Sequence, residues 1–129
     1  MGLLRAGFYE VAEEIRADIA EVPDPNEALA AAYLRSGSLI IMVMHADRDL
    51  LDPGRRLTES AGIMTDGVWV WRRNLAHYVE EYHVALPPGF YSHIRGQDWQ
   101  MPELTGEKIH EVAAAFKREQ NEYFAKLGR

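Results

Sequence analysis

The spacing of apolar and polar residues changes from the strand period to the helix period within residues 63–82. The dipeptide Asp66-Gly67 separates two apolar runs at the start of this stretch. This pair favours a tight type I′ β-turn, because that turn requires positive φ at both central residues. We therefore predict a β-hairpin with strands at about 61–65 and 68–71.

The predicted hairpin is apolar on both faces. A two-residue turn pairs Met64 with Trp69 and Ile63 with Val70. One face then carries Met64, Trp69 and Trp71, and the other carries Ile63, Val68 and Val70. Both faces need cover from helices or from a partner, and we expect Trp71 to lie in the core.

Residues 75–82 follow the helical period. One face carries Leu75, Tyr78, Val79 and Tyr82, and the opposite face carries His77, Glu80 and Glu81. Leu86-Pro87-Pro88 ends this helix, because proline lacks the amide donor that a helix interior needs.

The same patterns predict the remaining elements. Helices are expected at about residues 3–20, from the Asp24-Pro25 cap to Gly37, from Pro88 to Ile94, and from Thr105 to Leu127. The apolar run 38–44 favours a central strand that is covered on both faces. The charged segment 45–60 contains Pro53-Gly54 and is expected to be a solvated connection with a turn there.

The order of these elements predicts an α+β fold in a single domain over residues 1–129. We expect a small three-stranded antiparallel sheet, with strands at about 38–44, 61–65 and 68–71, packed by about five helices. The length of 129 residues, of which 47% are hydrophobic, is ordinary for one globular domain.

Composition and charge narrow the classes of function. The chain has no cysteine and no apolar run of the roughly 18 residues that a membrane span needs, so we expect a soluble cytoplasmic protein without disulfides. A net charge of −6 argues against a nucleic-acid partner, because phosphate contacts require a basic surface. A charged protein partner is therefore expected to be basic.

One cluster has the side chains of a metal site. It consists of His45, Asp47, Asp49 and Asp52. Divalent metals accept such nitrogen and oxygen ligands, and a site here would make the protein a small metal-dependent hydrolase. Neighbouring arginines compete for the same carboxylates, so the alternative is a charged loop with internal salt bridges. These arginines are Arg48, Arg55 and Arg56.

The sequence contains no familiar catalytic motif. The histidines form no HExxH pair, and the serines lie in no nucleophile elbow or glycine-rich phosphate loop. We expect His77, His83, His93 and His110 to be surface or helix-terminal residues. An acid–base pair such as Asp66 with His83 would need the tertiary fold to bring it together. We predict no catalytic residue and no cofactor.

Acidic and aromatic residues are the candidates for contact with a partner. The set is Glu10, Glu13, Glu14, Asp18, Glu80, Glu81 and Trp99. A negative patch steers a basic partner toward it, and exposed tryptophan is enriched in binding hot spots. The alternative is that the carboxylates form a solvated helix surface and that Trp99 belongs to the core.

Four stretches between Tyr33 and His93 carry a recognisable pattern. They are Tyr33-Leu34-x-Ser36-Gly37, Leu51-Asp52-Pro53, Thr65-Asp66-Gly67-x-Trp69-x-Trp71 and Leu75-x-x-Tyr78-x-x-x-Tyr82-x-Val84-x-Leu86-Pro87-x-x-Phe90. This pattern resembles a group of small bacterial proteins that includes immunity proteins of polymorphic toxin systems. The resemblance implies a protein that binds and neutralises a cognate toxin, and it supplies no catalytic residue.

Three hypotheses of function follow. The first is a non-enzymatic protein-binding module, specifically a cytoplasmic immunity protein for a basic toxin. The second is a metal-dependent hydrolase that uses the cluster from His45 to Asp52. The third is a homo-oligomeric scaffold that associates through an uncovered face of the hairpin.

Overall fold

A computed structural model describes residues 2–128, except for the side chains of residues 43–46 and 58–60. In this part of the chain the strands are β1 (Leu4–Ala6), β2 (Ser38–Asp49), β3 (Asp52–Thr65) and β4 (Trp69–Arg72). The helices are α1 (Ala12–Ala17), α2 (Glu27–Arg35), α3 (Leu75–Tyr82), α4 (Pro88–Gly96) and α5 (Gly106–Leu127). No helix within residues 2–128 is both long enough and apolar enough to cross a membrane.

The four strands form one sheet in the order β1-β4-β3-β2. β1 runs parallel to β4, and the other neighbours are antiparallel. The α+β class and the five helices are confirmed. The sheet, however, is mixed and has one strand more than the three predicted. An isolated antiparallel bridge pairs Ile19 with Val84 outside this sheet.

The helix predicted over residues 3–20 forms only in part. Leu4–Ala6 forms an edge strand on β4, and helix is confined to Ala12–Ala17. Gly7, between the two, has a φ of 72°, which a right-handed helix does not adopt. The strand forms because β4 offers it a free edge of backbone donors and acceptors, which the local apolar pattern does not encode.

The charged segment 45–60 is exposed at residues 48 and 52–56, as predicted, but it continues the sheet and is not an irregular connection. β2 and β3 pair from Ser38 with Thr65 to Asp49 with Asp52, so the chain turns at Leu50-Leu51 and not at Pro53-Gly54. Residues such as Arg48 are exposed. Where a strand has no buried face, nothing requires its apolar and polar residues to alternate, and the sequence pattern does not reveal the strand. We call residues 45–60 the β2–β3 arm.

β3 and β4 form the predicted hairpin in a different register. The observed pairs are Thr65 with Val70, Met64 with Trp71 and Ile63 with Arg72. The predicted pairs of Met64 with Trp69 and Ile63 with Val70 are therefore wrong, and the turn contains Asp66–Trp69. Gly67 is the residue of this turn with positive φ, at 98°, whereas a type I′ turn needs two. The register moves by two residues, so the paired side chains keep their predicted faces.

Helices cover both faces of this hairpin. On one face Trp71 is 0% exposed, which confirms its place in the core. The helices contribute Tyr33, Tyr78 and Phe90 to the same cluster. On the other face Val70 packs with Val112 and Phe116 of α5. The hairpin face that the homo-oligomer hypothesis needs is therefore covered within the chain.

Candidate functional site

An open groove of about 540 Å³ lies where the segment after α1 passes the start of α2 and the connection from α3 to α4. Most of its wall is apolar, with contributions from Val22, Ala30, Val79, Val84, Leu86 and Tyr91. Its polar lining residues are Asp24, Asn26, Glu27 and His83. No lysine or arginine occurs among the described residues that line it. We call this feature the α2–α3 groove.

Pairing of two chain segments fixes one wall of the groove. The amide of Ala20 donates to the carbonyl of His83 at 3.0 Å, and the amide of Ala85 donates to the carbonyl of Asp18 at 2.8 Å. The bridge between Ile19 and Val84 lies between these two bonds. Prolines on both segments restrict the backbone further, so this wall is formed before any ligand binds.

The opposite wall is tied to two helices. α2 begins at Glu27 with Asn26 as its N-cap, two residues after the predicted Asp24 cap. Asp24 Oδ1 instead accepts the amide of Asn26 at 2.7 Å. The Asn26 side-chain amide donates to the Tyr91 hydroxyl at 3.3 Å, which connects the start of α2 to α4.

A hydrogen-bonded contact joins His83 to Glu27 in the groove lining. His83 Nδ1 lies 3.0 Å from Oε1 and 2.9 Å from Oε2 of Glu27. The side chains are 40% and 23% exposed, so the pair is accessible. His83 ends α3 with a φ of 61°, a left-handed conformation that is uncommon for a non-glycine residue. Many helices end with a residue in this conformation, and here the His83 amide donates to the carbonyls of Tyr78 and Val79.

This pair fixes the chemistry of the imidazole. A carboxylate only accepts hydrogen bonds, so Nδ1 carries a proton, and in the neutral form of the ring Nε2 keeps its lone pair. Within the described residues Nε2 of His83 has no hydrogen-bond partner, and it is therefore available to a donor on a ligand. The Asp66–His83 pair considered from the sequence does not form, because Asp66 contacts His93 at 2.9 Å.

Trp99 lies partly buried behind the groove wall. Its ring meets the edge of Tyr91 at a centroid distance of 5.7 Å and an angle of 77°. Arg95 also lies near Tyr91, with its guanidinium carbon 6.0 Å from the ring centroid. Trp99 therefore packs against Tyr91, a residue of the groove wall. Its side chain is partly buried against the core and partly exposed.

Among the described residues, each predicted acidic side chain apart from Glu10 has a hydrogen-bond or ion-pair partner. Glu14 accepts the amides of Glu10 and Val11 at 2.7 and 3.2 Å, and these bonds lower its pKa. The other contacts are Glu13 with Arg16 at 3.5 Å, Asp18 with the Tyr9 hydroxyl at 2.7 Å, Glu80 with Arg35 at 2.7 Å, and Glu81 with Arg55 at 2.8 Å. Glu80 and Glu81 thus have arginine neighbours, whereas Asp18 lies on the paired segment of the groove.

The residues of the predicted metal cluster have different surroundings. Asp49 is 0% exposed and accepts four hydrogen bonds, from the amides of Leu51 and Asp52, from the Tyr82 hydroxyl and from His77. Asp47 accepts a hydrogen bond from the side-chain amide of Asn74 at 2.9 Å, and Asp52 is exposed. The His45 side chain lies outside the described residues. Among the side chains that the structure describes, no three histidine or acidic residues are grouped as metal ligands.

The bonds around Asp49 shift two pKa values. Burial alone would raise the pKa of the Asp49 carboxyl, but hydrogen bonds from His77, Tyr82 and the Leu51 amide lower it below its ordinary value. Burial and the bond to Asp49 raise the pKa of Tyr82 to about 12. His77, expected on the outer face of α3, is therefore turned toward the arm, because the buried carboxylate needs donors.

Sequence reasoning missed the Glu27–His83 pair. The two residues are 56 positions apart, and each has a sufficient local explanation at a helix end. The one feature that the two residues share in the sequence is that each lies where a helix meets a proline-containing segment. A comparison of the chain with protein-family models, with curated proteins and with solved structures found no match.

Proposed function

We propose that this protein is a non-enzymatic protein-binding module, specifically an immunity protein that binds and neutralises a cognate basic toxin in the bacterial cytoplasm. The observation that carries the proposal is the α2–α3 groove. It offers apolar walls for an anchor side chain, and its acidic lining residues are Asp24 and Glu27, the second bonded to His83. This chemistry suits a partner that presents an apolar segment with positive charge.

The groove also has the rigidity that tight binding favours. Ala30, Val79 and Val84 in its wall are buried residues of the fold, and backbone bonds fix the segment beside them. A pre-formed site avoids the entropy cost of ordering loops on binding. The net charge of −6 adds long-range attraction toward a basic partner, which raises the association rate.

The contacts of the two buried aspartates with their histidines support a structural role for those groups. Asp49 and Asp66 are 0% and 2% exposed, and both carboxylates accept bonds from their own turns. A catalytic acid or base needs to reach a substrate proton within hydrogen-bond distance. These carboxylates are enclosed by the fold and stabilise it.

Co-expression with the product of a neighbouring toxin-like gene tests the proposal. We expect growth to be restored and the two proteins to co-purify as a complex. Absence of both protection and complex would remove the immunity hypothesis.

A pair of variants tests whether the groove is the site of binding. Val22 lines the groove and is 77% exposed, so Val22→Arg places a positive charge there without disturbing the core. Leu127, at the end of α5, is 62% exposed and does not line the groove, so Leu127→Arg is the matched control. We expect the first variant alone to weaken the complex. Equal affinity of both variants would place the interface elsewhere.

A further inference from the structure

We infer that the α2–α3 groove takes a lysine side chain of the partner, with the methylene stem against the apolar wall and the ammonium group at Asp24, Glu27 and His83. This inference deepens the proposed function and rests on it for the identity of the partner as a protein. The recognition of an alkylammonium group is a property of the groove and can be tested alone.

The wall and the lining charges fit the two parts of a lysine side chain. Val79, Val84 and Leu86 provide apolar contact for a stem of four methylenes, which lysine buries readily while its head group stays polar. Two carboxylates, an asparagine and a histidine supply the polar lining, and no lysine or arginine of the described lining opposes a cation. Burial of an ammonium group requires this kind of pairing.

The acceptors also favour lysine over arginine. A guanidinium binds best to a carboxylate that offers both oxygens side by side. Both oxygens of Glu27 already contact His83 Nδ1, at 3.0 and 2.9 Å. Asp24 Oδ1 likewise accepts the amide of Asn26 at 2.7 Å. Each carboxylate oxygen keeps a further lone pair, and Nε2 of the neutral His83 ring is another acceptor. These separate acceptors suit the three donors of an ammonium group.

Other occupants satisfy the groove less well. A purely apolar side chain would cover Asp24 and His83 without giving them a donor, and an unpaired buried polar group is costly. A carboxylate or phosphate would meet the like charges of Asp24 and Glu27. A cation on an apolar stem is the occupant that satisfies both the wall and the lining charges.

Three small probes with four carbon atoms each test this inference on the full chain. Butylamine carries the lysine head group, 1-butanol is neutral, and butanoate is an anion. Each is titrated into the protein while the methyl signals of Ala30, Val79 and Val84 are followed by NMR. We expect butylamine to bind about tenfold more tightly than 1-butanol and butanoate not to bind at the groove. Equal binding of the three probes, or tighter binding of butanoate, would overturn the inference.

Two variants separate the groove from general attraction to an acidic protein. Glu27→Gln removes a charge from the lining, and Glu107→Gln removes one from the equivalent first turn of α5, outside the groove. We expect the affinity for butylamine to fall to about the affinity for 1-butanol in Glu27→Gln, but not in Glu107→Gln. Loss of the preference in both variants, or amine-induced shifts spread over the whole surface, would show non-specific attraction and overturn the inference.

The outcomes for the two proposals are distinguishable. If butylamine does not bind but the toxin complex forms and Val22→Arg disrupts it, the lysine inference fails and the proposed function stands. If butylamine binds at the groove but no toxin is neutralised, the alkylammonium site stands and the immunity hypothesis fails.

Discussion

Two turns of the sheet are built from the same set of contacts, one at Asp66 between β3 and β4 and one at Asp49 between β2 and β3. In each turn one carboxylate oxygen accepts the amides two and three residues ahead, at 3.0 and 2.8 Å for Asp66 and at 2.8 and 3.2 Å for Asp49. The other oxygen accepts a tyrosine hydroxyl and contacts a histidine Nε2. The aspartate therefore closes its own turn and also binds neighbouring helices.

The two turns differ in the origin of these helical partners. Asp66 contacts Tyr33 of α2 at 2.6 Å and His93 of α4 at 2.9 Å, so it connects the hairpin to two separate helices. Asp49 contacts His77 and Tyr82, each at 2.8 Å, and both belong to α3. The first turn thus stabilises the central packing, whereas the second attaches the tip of the β2–β3 arm to one helix.

We expect the largest effect from Asp66→Ala. The change leaves Tyr33, His93 and two turn amides without their acceptor in the core, where unpaired polar groups are costly. The free energy of unfolding should fall by roughly 3–5 kcal/mol, measured by urea denaturation. A loss below about 1 kcal/mol would mean that water replaces the carboxylate and that this turn does not hold the helices together.

Asp49→Ala should cost less, roughly 1–3 kcal/mol, and its effect should be local. Hydrogen exchange in the native state provides the test. We expect faster exchange at the amides of Leu51 and Asp52, which lose their acceptor, and unchanged exchange at Val70 and Trp71 in the central strand. Equal acceleration across the sheet would contradict the distinction between the two turns.

Acid should weaken the Asp49 turn through a depressed pKa. The carboxyl titrates below its ordinary value of 3.8 in the folded protein, so its contribution to stability is complete above about pH 3.8 and is lost as pH falls through the folded pKa. Asp49→Asn cannot titrate. The difference in unfolding free energy between wild type and this variant should therefore be constant near neutral pH and shrink below about pH 3.8. A constant difference throughout acid titration would refute the depressed pKa.

The smallest effects are expected from the two tyrosine hydroxyls. Tyr33→Phe removes a buried bond of 2.6 Å to Asp66, and Tyr82→Phe removes a bond of 2.8 Å at a partly exposed position. Losses of roughly 1–2 and 0.5–1 kcal/mol should follow in chemical denaturation, because solvent compensates the more exposed group. The reverse order would indicate that the arm contributes more to stability than the central turn.

Local sequence determined the elements whose cause lies within a few residues. The helical period from Thr105 onward predicts α5, and the structure adds a local cap, in which the Thr105 side chain accepts the Lys108 amide at 3.0 Å. The two-residue alternation places Met64 and Trp71 on one face of the hairpin even though the predicted register was wrong, since a shift of two preserves the faces.

Only the tertiary structure decided which distant groups meet. Leu4–Ala6 becomes a strand because β4 has a free edge, and His77, His83 and His93 find acidic partners 28, 56 and 27 residues away. Apolar periodicity records which side of an element is buried, but it carries no information about which element covers that side. The pairing of buried polar groups depends on that arrangement, and so the groove and both turn aspartates emerge only from the packed fold.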